Sequence, residues 1–216
     1  MLKRRDYFTT QESWTTILAS NPFIAPLTEF FAKIHVTPNQ VTILSFIIAL
    51  GAIYLYFTGR LFIGALIWHL SFIFDCVDGC LARKLKKTSD FGAKLDHTLH
   101  KVKKAFAIIA IIYATHTQYN LVIMISMVIL HYLLHRVRYG ENRAIMEYLN
   151  SKGIKSLFDP LDEQFFIVFL GPITGYVFQF VLLTVVIQLL NIFIHFVKEQ
   201  NKSRKSSRYI KMPGDE

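Results

Sequence analysis

Three aspartates lie where apolar sequence meets polar sequence, and they are the residues of this chain best suited to chemistry. Asp75 and Asp78 directly follow the apolar run LIWHLSFIF, and Asp96 lies shortly before another apolar run. An ionisable group inside a bilayer costs about 2.5–3.5 kcal/mol on insertion scales, so such groups indicate function. We expect all three near the cytoplasmic end of the bilayer, where a site is open to a water-soluble substrate and to a lipid.

The first two aspartates share one face of a predicted helix. At about 100° per residue, Asp75 and Asp78 are about 60° apart, and Gly79 and Ala82 fall in the same arc. Because Gly79 has no side chain, a ligand or a neighbouring helix can approach the carboxylates closely. Pairing with Arg83 and nearby lysines would explain any one of the aspartates, but not three of them at these spacings.

The next predicted helix presents Gly92, Asp96 and His100 on one face at four-residue intervals. Two carboxylates from one helix and one from another form a pocket for a hard divalent cation, and oxygen ligands favour Mg²⁺ or Mn²⁺ over zinc. Mg²⁺ usually binds one or two carboxylates together with substrate phosphates. The pattern therefore predicts a site for a diphosphate–metal complex.

Residues 75–100 read DCVDGCLARKLKKTSDFGAKLDHTLH. This segment resembles the signature of the CDP-alcohol phosphotransferase (phosphatidyltransferase) family, D-x2-D-G-x2-A-R-x8-G-x3-D-x3-D. Seven of its eight fixed positions are satisfied, by Asp75, Asp78, Gly79, Ala82, Arg83, Gly92 and Asp96. The segment Pro38-Asn39-x2-Thr42 at the start of the first apolar stretch is also similar to the family.

The resemblance implies a membrane transferase that moves a phospho-alcohol or phosphatidyl group from a CDP-alcohol to an acceptor alcohol and releases CMP. By this analogy Asp75, Asp78 and Asp96 hold the Mg²⁺ or Mn²⁺ ion on the diphosphate. The residues that would shape or contact the CDP pocket are Asn39, Thr42, Gly79, Ala82, Arg83 and Gly92. The resemblance also implies a homodimer. It leaves the donor and acceptor alcohols open, and the product is either a phospholipid or a soluble phosphodiester.

His100 stands where the family has its last aspartate, which would act as general base and help to bind a second metal ion. Three interpretations stay open. In the first, His100 is the catalytic base and also a metal ligand, since a neutral imidazole is well matched to proton removal at neutral pH. In the second, the base role has moved or only one metal ion is used. In the third, the protein has lost catalysis and keeps a CDP-binding role.

Basic residues offer further contacts with phosphate. Arg136 and Arg138 follow the fourth apolar segment, where they anchor the topology or bind the phosphate of an acceptor, because Arg suits bidentate contacts with oxyanions. Lys103 lies about 20° from the direction of Asp96 on the same predicted helix. Among the nearby lysines, it is the one that we expect to face the pocket.

The composition places these residues in a membrane protein. The chain has 216 residues, of which 53% are hydrophobic and only 18% are charged, against about 25% charged in soluble proteins. We predict an all-α polytopic membrane protein with six transmembrane helices. Since Gly171-Pro172 and Gly175 interrupt the last apolar block, it is divided into two spans. The predicted spans are Val41–Thr58, Leu61 to Phe74 and beyond, about 105–114, Tyr119–His135, 161–174 and 176–197.

The distribution of positive charge predicts the topology. Of the 24 Lys and Arg residues, 23 fall on one side of the six spans and only Arg60 falls on the other. By the positive-inside rule, both termini and the aspartate site then face the cytoplasm. Topology and attraction to anionic lipid explain the net charge of +9, so we expect membrane lipids and no nucleic acid as partners.

Three segments follow from this pattern. Residues 1–36 form a cytoplasmic N-terminal segment, residues 37–197 form the six-helix domain, and residues 198–216 form a basic, disordered cytoplasmic tail. Within the first, Pro22–His35 has apolar residues at helical spacing. It is predicted to be an amphipathic helix lying against the cytoplasmic leaflet, with a core-packed helix as the alternative.

Other functions compete with the transferase. One is a catalytically silent relative that binds CDP. A small transporter is another, but it predicts ionisable residues deep within the spans, and the last three predicted spans contain almost none. A scaffold that organises lipid enzymes is the third, and it predicts that Asp78→Asn is harmless.

Overall fold

The fold was analysed from a computed structural model, which describes residues 21–116, most positions between 121 and 133, residues 164–190 and residue 193. Every regular element in these residues is helical. The N-terminal residues 1–20, the tail, and Arg136 and Arg138 lie outside the described residues. The all-α prediction therefore agrees with the described part of the chain.

Four helices make up the N-terminal part, and three of them, α2, α3 and α4, meet at the aspartates. Helix α1 packs on α3, and α2 packs on both α3 and α4. The helices are α1 (Asn21–Lys33), α2 (Pro38–Phe57), α3 (Leu61–Lys84) and α4 (Asp90–Thr115).

Helix α1 covers the segment that was predicted to be amphipathic. Its Ile24 and Phe31 side chains are buried in a cluster with residues of α2 and α3, and Lys84 of α3 pairs with Glu29. Phe23 and Phe30 are more than half exposed. One side of α1 is thus packed on the protein while large apolar side chains remain outside.

The beginnings of α2 and α4 are fixed by side-chain caps. Thr37 Oγ1 accepts a hydrogen bond from the N–H of Gln40, and Gln40 Oε1 accepts one from the N–H of Thr37 at 2.8 Å. This capping box satisfies two donors that a helix start leaves unpaired. At α4, Ser89 Oγ accepts from the N–H of Gly92 at 3.1 Å. Both caps lie beside the site described below.

Two of the described helices, α2 and α3, are long and apolar enough to cross a membrane. The third predicted span is the C-terminal part of α4, and the polar turns before it are helical, as a full-length span requires. The described residues support two of the six predicted spans, and the count of six remains a prediction.

The C-terminal described part begins with a π-helix, π1 (Phe165–Leu170), which continues into α5 (Gly171–Thr174). The chain breaks at Gly175, which has φ of +77°, and α6 follows at Val177–Leu190. A break was predicted at Gly171-Pro172 as well, but the helix runs through that pair. Proline is tolerated there because it lies in the first turn of α5. A backbone N–H at that position has no acceptor within the α-helix, so its absence removes no hydrogen bond of α5.

Helices α2 and α3 pack tightly at Gly64. A Cβ atom there would lie 2.8 Å from Cδ1 of Tyr56 and 3.2 Å from the carbonyl oxygen of Ala52. The Tyr56 ring is buried, and its hydroxyl donates a hydrogen bond to the carbonyl of Val168 in π1 at 2.6 Å. The ring is therefore held at both ends and cannot move aside easily.

We predict that Gly64→Ala destabilises the protein by about 1–3 kcal/mol through overpacking. Its unfolding temperature in detergent should fall by several degrees. Gly51→Ala is the matched control, because a Cβ at Gly51 meets no atom within 4 Å and alanine favours a helix. Equal unfolding temperatures for wild type and Gly64→Ala would contradict the close packing of α2 on α3.

Candidate metal centre and active site

Helices α3 and α4 bring the three aspartates together. One carboxylate oxygen from each of Asp75, Asp78 and Asp96 lies within 4.8 Å of the other two. Asp75 and Asp78 are about one turn apart on α3, and Asp96 is in the second turn of α4. The three carboxyl groups are buried or half-buried. Hard oxygen donors at this separation fit a Mg²⁺ or Mn²⁺ ion.

Helix α2 supports Asp78 through Thr42. Thr42 Oγ1 donates a hydrogen bond to Asp78 Oδ2 at 2.5 Å, and both side chains are buried. Thr42 lies one turn after Pro38, so the capped start of α2 determines where its hydroxyl lies. The bond occupies one oxygen of Asp78 and fixes the orientation of the carboxylate.

Asp75 is the most heavily bonded of the three carboxylates. Its Oδ1 accepts a hydrogen bond from Ser45 of α2. Its Oδ2 contacts the ammonium group of Lys103 and lies 3.2 Å from Nδ1 of His100. Lys103 Nζ also donates to Ser45 Oγ at 3.0 Å and to Ser71 Oγ at 3.2 Å. Side chains from α2, α3 and α4 therefore converge on this carboxylate.

His100 bridges Asp75 and the C-terminal part of the chain. Its Nε2 lies 3.0 Å from Oε1 of Gln164, which is buried and directly precedes π1. π-helical segments are rare in proteins, and those that do occur are often found at functional sites. An amide can donate through its NH₂ group or accept through its oxygen, so Gln164 can hydrogen-bond Nε2 whether or not that nitrogen carries a proton.

A cavity of about 240 Å³ adjoins the carboxylates and includes Asp78 and Asp96 in its wall. It lies between the start of α2, the end of α3 and the start of α4. Its basic lining residues are Arg83 and Lys87. The full lining is Pro38, Asn39, Thr42, Asp78, Gly79, Ala82, Arg83, Lys87, Thr88, Ser89, Gly92, Ala93 and Asp96.

Glycine at position 92 allows α4 to begin close to α2. A Cβ there would lie 3.0 Å from Oδ1 of Asn39 and 3.1 Å from Oγ of Ser89. At Gly79, a Cβ would lie 3.3 Å from Nη1 of Arg83. Side chains at these two positions would therefore crowd the polar groups that line the cavity.

All six residues that the resemblance assigned to the CDP pocket line this cavity: Asn39, Thr42, Gly79, Ala82, Arg83 and Gly92. His100 and Lys103 are not among the lining residues. His100 lies against Asp75 and Gln164, outside the group of three carboxylates. Lys103 was expected to face the pocket, but its ammonium contacts Asp75, Ser45 and Ser71 instead.

Several residues of the site were missed in the sequence. Ser45 is three residues after Thr42 and Ser71 is four before Asp75, so helical spacing alone could have identified both. Gln164 is 64 residues away from its partner His100 and carries no local signal. The α3–α4 connection contributes Lys87, Thr88 and Ser89, which only the tertiary structure places at the cavity.

Comparisons with known proteins agree with this arrangement. The family model of the CDP-alcohol phosphatidyltransferases matches residues 35–198. An uncharacterised protein of Aquifex aeolicus is 31% identical over 153 residues, which is 69% of this chain and 74% of that protein. The archaetidylinositol phosphate synthase of Pyrococcus horikoshii is 36% identical over 74 residues, covering 34% of this chain and 39% of that protein.

Solved structures show the same fold at low identity. The phosphatidylinositol phosphate synthase of Mycobacterium tuberculosis with bound CDP-DAG matches with a TM-score of 0.56 and 18% identity, over 80% of this chain and 92% of that one. The same enzyme in complex with manganese and citrate matches with a TM-score of 0.54 and 18% identity, over 79% and 89% of the two chains. Because the family match covers most of the described residues and the whole candidate site, the chain belongs to the CDP-alcohol phosphatidyltransferase family.

Proposed function

We propose that this protein transfers a phosphatidyl or other phospho-alcohol group from a CDP-alcohol to an acceptor alcohol, with a divalent cation held by Asp75, Asp78 and Asp96. The observation that carries the proposal is the cluster of three carboxylates, two of which, Asp78 and Asp96, lie in the wall of a cavity that also has basic residues. A diphosphate in that cavity would lie beside both the cation and the guanidinium of Arg83.

The relatives narrow the substrates to be tested first. The Mycobacterium enzyme holds CDP-DAG, and the Pyrococcus relative is named for an inositol phosphate product. We therefore propose CDP-diacylglycerol as the donor and a phosphorylated polyol such as inositol phosphate as the acceptor.

The reaction forms one P–O bond and breaks another. The acceptor oxygen attacks the phosphorus that carries the donor alcohol, and the bond from that phosphorus to the bridging oxygen breaks, so that CMP leaves with the bridging oxygen. A bound divalent ion supplies stabilisation of the negative charge on the diphosphate and on the leaving CMP. Thr42 and Ser45 hold the carboxylates of Asp78 and Asp75 in their orientations.

We propose that His100 removes the proton of the acceptor hydroxyl. We assign Nδ1–H as the donor to Asp75 Oδ2, in the way a carboxylate orients a catalytic imidazole. Nε2 is then the basic nitrogen once the Gln164 amide, whose Oε1 lies 3.0 Å away, turns its NH₂ group toward the ring or gives way to the acceptor. The acceptor hydroxyl would take the place of Gln164 at Nε2. On this account His100 is the base and not a ligand of the ion, in line with its position outside the three carboxylates.

We further propose a multi-pass membrane protein with both termini and the site in the cytoplasm, and with α1 at the membrane interface. Large apolar side chains remain exposed along α2 and α3, as expected of helices whose surfaces face lipid. On α2 they are Ile43, Leu44, Ile47, Leu50, Tyr54 and Phe57, and on α3 they are Phe62, Ile63, Leu66 and Leu70. The homodimer that the resemblance implies belongs to this proposal and rests on the resemblance alone.

Asp78→Asn tests the metal-dependent transfer. The assay measures CMP released from CDP-diacylglycerol by purified protein in detergent with Mg²⁺ or Mn²⁺. The acceptors tested are inositol phosphate, inositol and glycerol phosphate, and we expect the wild type to release CMP with at least one of them. Asp78→Asn should lower that rate at least a hundredfold, because the ion loses a ligand. Asp90→Asn is the matched control, since Asp90 is exposed at the start of α4 and does not line the cavity. Full activity of Asp78→Asn would refute the proposed site.

His100→Ala separates proton removal from donor binding. General-base catalysis is worth about 10²–10⁴-fold, so we expect kcat to fall by that factor while the Kd for CDP with Mn²⁺ stays within about threefold of wild type. If His100→Ala keeps its kcat, the base lies elsewhere. If the wild type binds CDP with Mn²⁺ but releases no CMP from any pair, the silent relative is the better account.

Arg83→Gln tests the position of the diphosphate. A hydrogen bond to a charged group contributes about 1.5–3 kcal/mol, so the KM for the CDP-alcohol should rise roughly 10–100-fold at pH 7. Arg60→Gln is the control, because Arg60 lies at the opposite end of α3. Unchanged KM values in both variants would place the diphosphate away from Arg83.

A further inference from the structure

Lys103 is a buried cation inside the proposed metal centre. Its side chain is only 3% exposed, although Lys94 and Lys101 on the same helix are exposed. An ammonium group has three N–H donors. They are directed at Asp75 Oδ2, at Ser45 Oγ and at Ser71 Oγ. Every donor of Lys103 is thus used within the site, and none is left for a substrate phosphate.

The burial of Lys103 has an electrostatic consequence. A charge removed from water is costly unless it is paired and hydrogen-bonded. Asp75 supplies the opposite charge, and the two serines satisfy the remaining protons. The pair is therefore a permanent part of the site, present whether or not a substrate is bound.

The lone pairs of Asp75 limit what else it can bind. An ionised carboxylate offers about four acceptor positions. Ser45 takes one on Oδ1, and Lys103 and His100 take two on Oδ2. One position is left for a metal ion, on Oδ1, and one oxygen of Asp75 lies within 4.8 Å of oxygens of Asp78 and Asp96. A second divalent ion on Oδ2 would have to displace the ammonium of Lys103.

Charge balance leads to the same conclusion. Carboxylates bind a metal ion in their ionised form. The three ionised carboxylates and the ammonium of Lys103 then carry a net charge of minus two, which one bound divalent ion neutralises. Metal ions that share a site lie about 3.5–4 Å apart. A second divalent ion would therefore lie next to the ammonium of Lys103, which is held in place by its burial and its hydrogen bonds.

We propose that the site binds a single divalent ion per chain and that Lys103 serves as the built-in second cation, which holds Asp75 in place for that ion. Lys103 is a positioning residue on this account. The inference rests on the metal site of the proposed function but not on the transfer reaction, so it is tested by counting bound metal.

The experiment is a Mn²⁺ titration of purified full-length protein in a non-ionic detergent, with free Mn²⁺ measured by electron paramagnetic resonance. We expect the wild type to saturate at one Mn²⁺ per chain. Lys103→Met removes the charge at nearly constant volume, and we expect it to bind a second Mn²⁺, because the position that the ammonium occupies beside Asp75 becomes free for another cation. Lys101→Met is the matched control, since Lys101 is exposed on the same helix, and it should match the wild type.

The outcomes separate this inference from the proposed function. Two Mn²⁺ ions per wild-type chain would overturn the single-ion site and leave the transferase intact. An unchanged stoichiometry in folded Lys103→Met would overturn the role of Lys103. If Lys103→Met does not fold, the wild-type count still decides the stoichiometry. If the wild type binds no Mn²⁺, the proposed metal-dependent function itself fails.

Discussion

The largely buried carboxylate of Asp75 on α3 is the point on which side chains of α2 and α4 converge. Ser45 reaches it from α2, His100 and Lys103 reach it from α4, and Gln164 is attached to it through His100. Removing one partner of a buried ion pair costs about 3–5 kcal/mol, because the other charge stays unpaired. This ion pair therefore couples the fold to the site: the contacts that hold α4 against α2 and α3 also orient a metal ligand.

Helix caps and close helix packing hold the side chains around Asp75 in place. The capping box at Thr37 fixes the start of α2, where Asn39 and Thr42 line the cavity. Ser89 caps α4 at the same level, and Gly92 allows the two helix starts to lie close together. At the far end of α2, the Tyr56 ring packs on Gly64 of α3, and the Tyr56 hydroxyl donates a hydrogen bond to the carbonyl of Val168 in π1. Close packing along α2 thus positions side chains at both of its ends.

Helical periodicity was enough to predict the three aspartates as one site, because two of them share a helix and the third has its own helix face. The resemblance assigned six residues to the CDP pocket, and all six are among those that line the cavity. Tertiary packing decided what could not be predicted: Lys103 lies near the direction of Asp96, yet its ammonium contacts Asp75 because α2 and α3 cover that face of α4. Gln164 reaches His100 only through the packing of π1. Pro172 was predicted to break a helix that in fact ends at Gly175.

We propose that one divalent ion, held by Asp75, Asp78 and Asp96, faces a cavity that binds the diphosphate of a CDP-alcohol. This arrangement can be tested by anomalous diffraction at the manganese edge from crystals grown with Mn²⁺ and CDP. We expect one manganese peak bonded to all three aspartates, with a diphosphate oxygen of CDP as a further ligand and Lys103 still against Asp75. Two peaks would contradict the single-ion site, and manganese bound away from the three aspartates would contradict both the metal site and the proposed function.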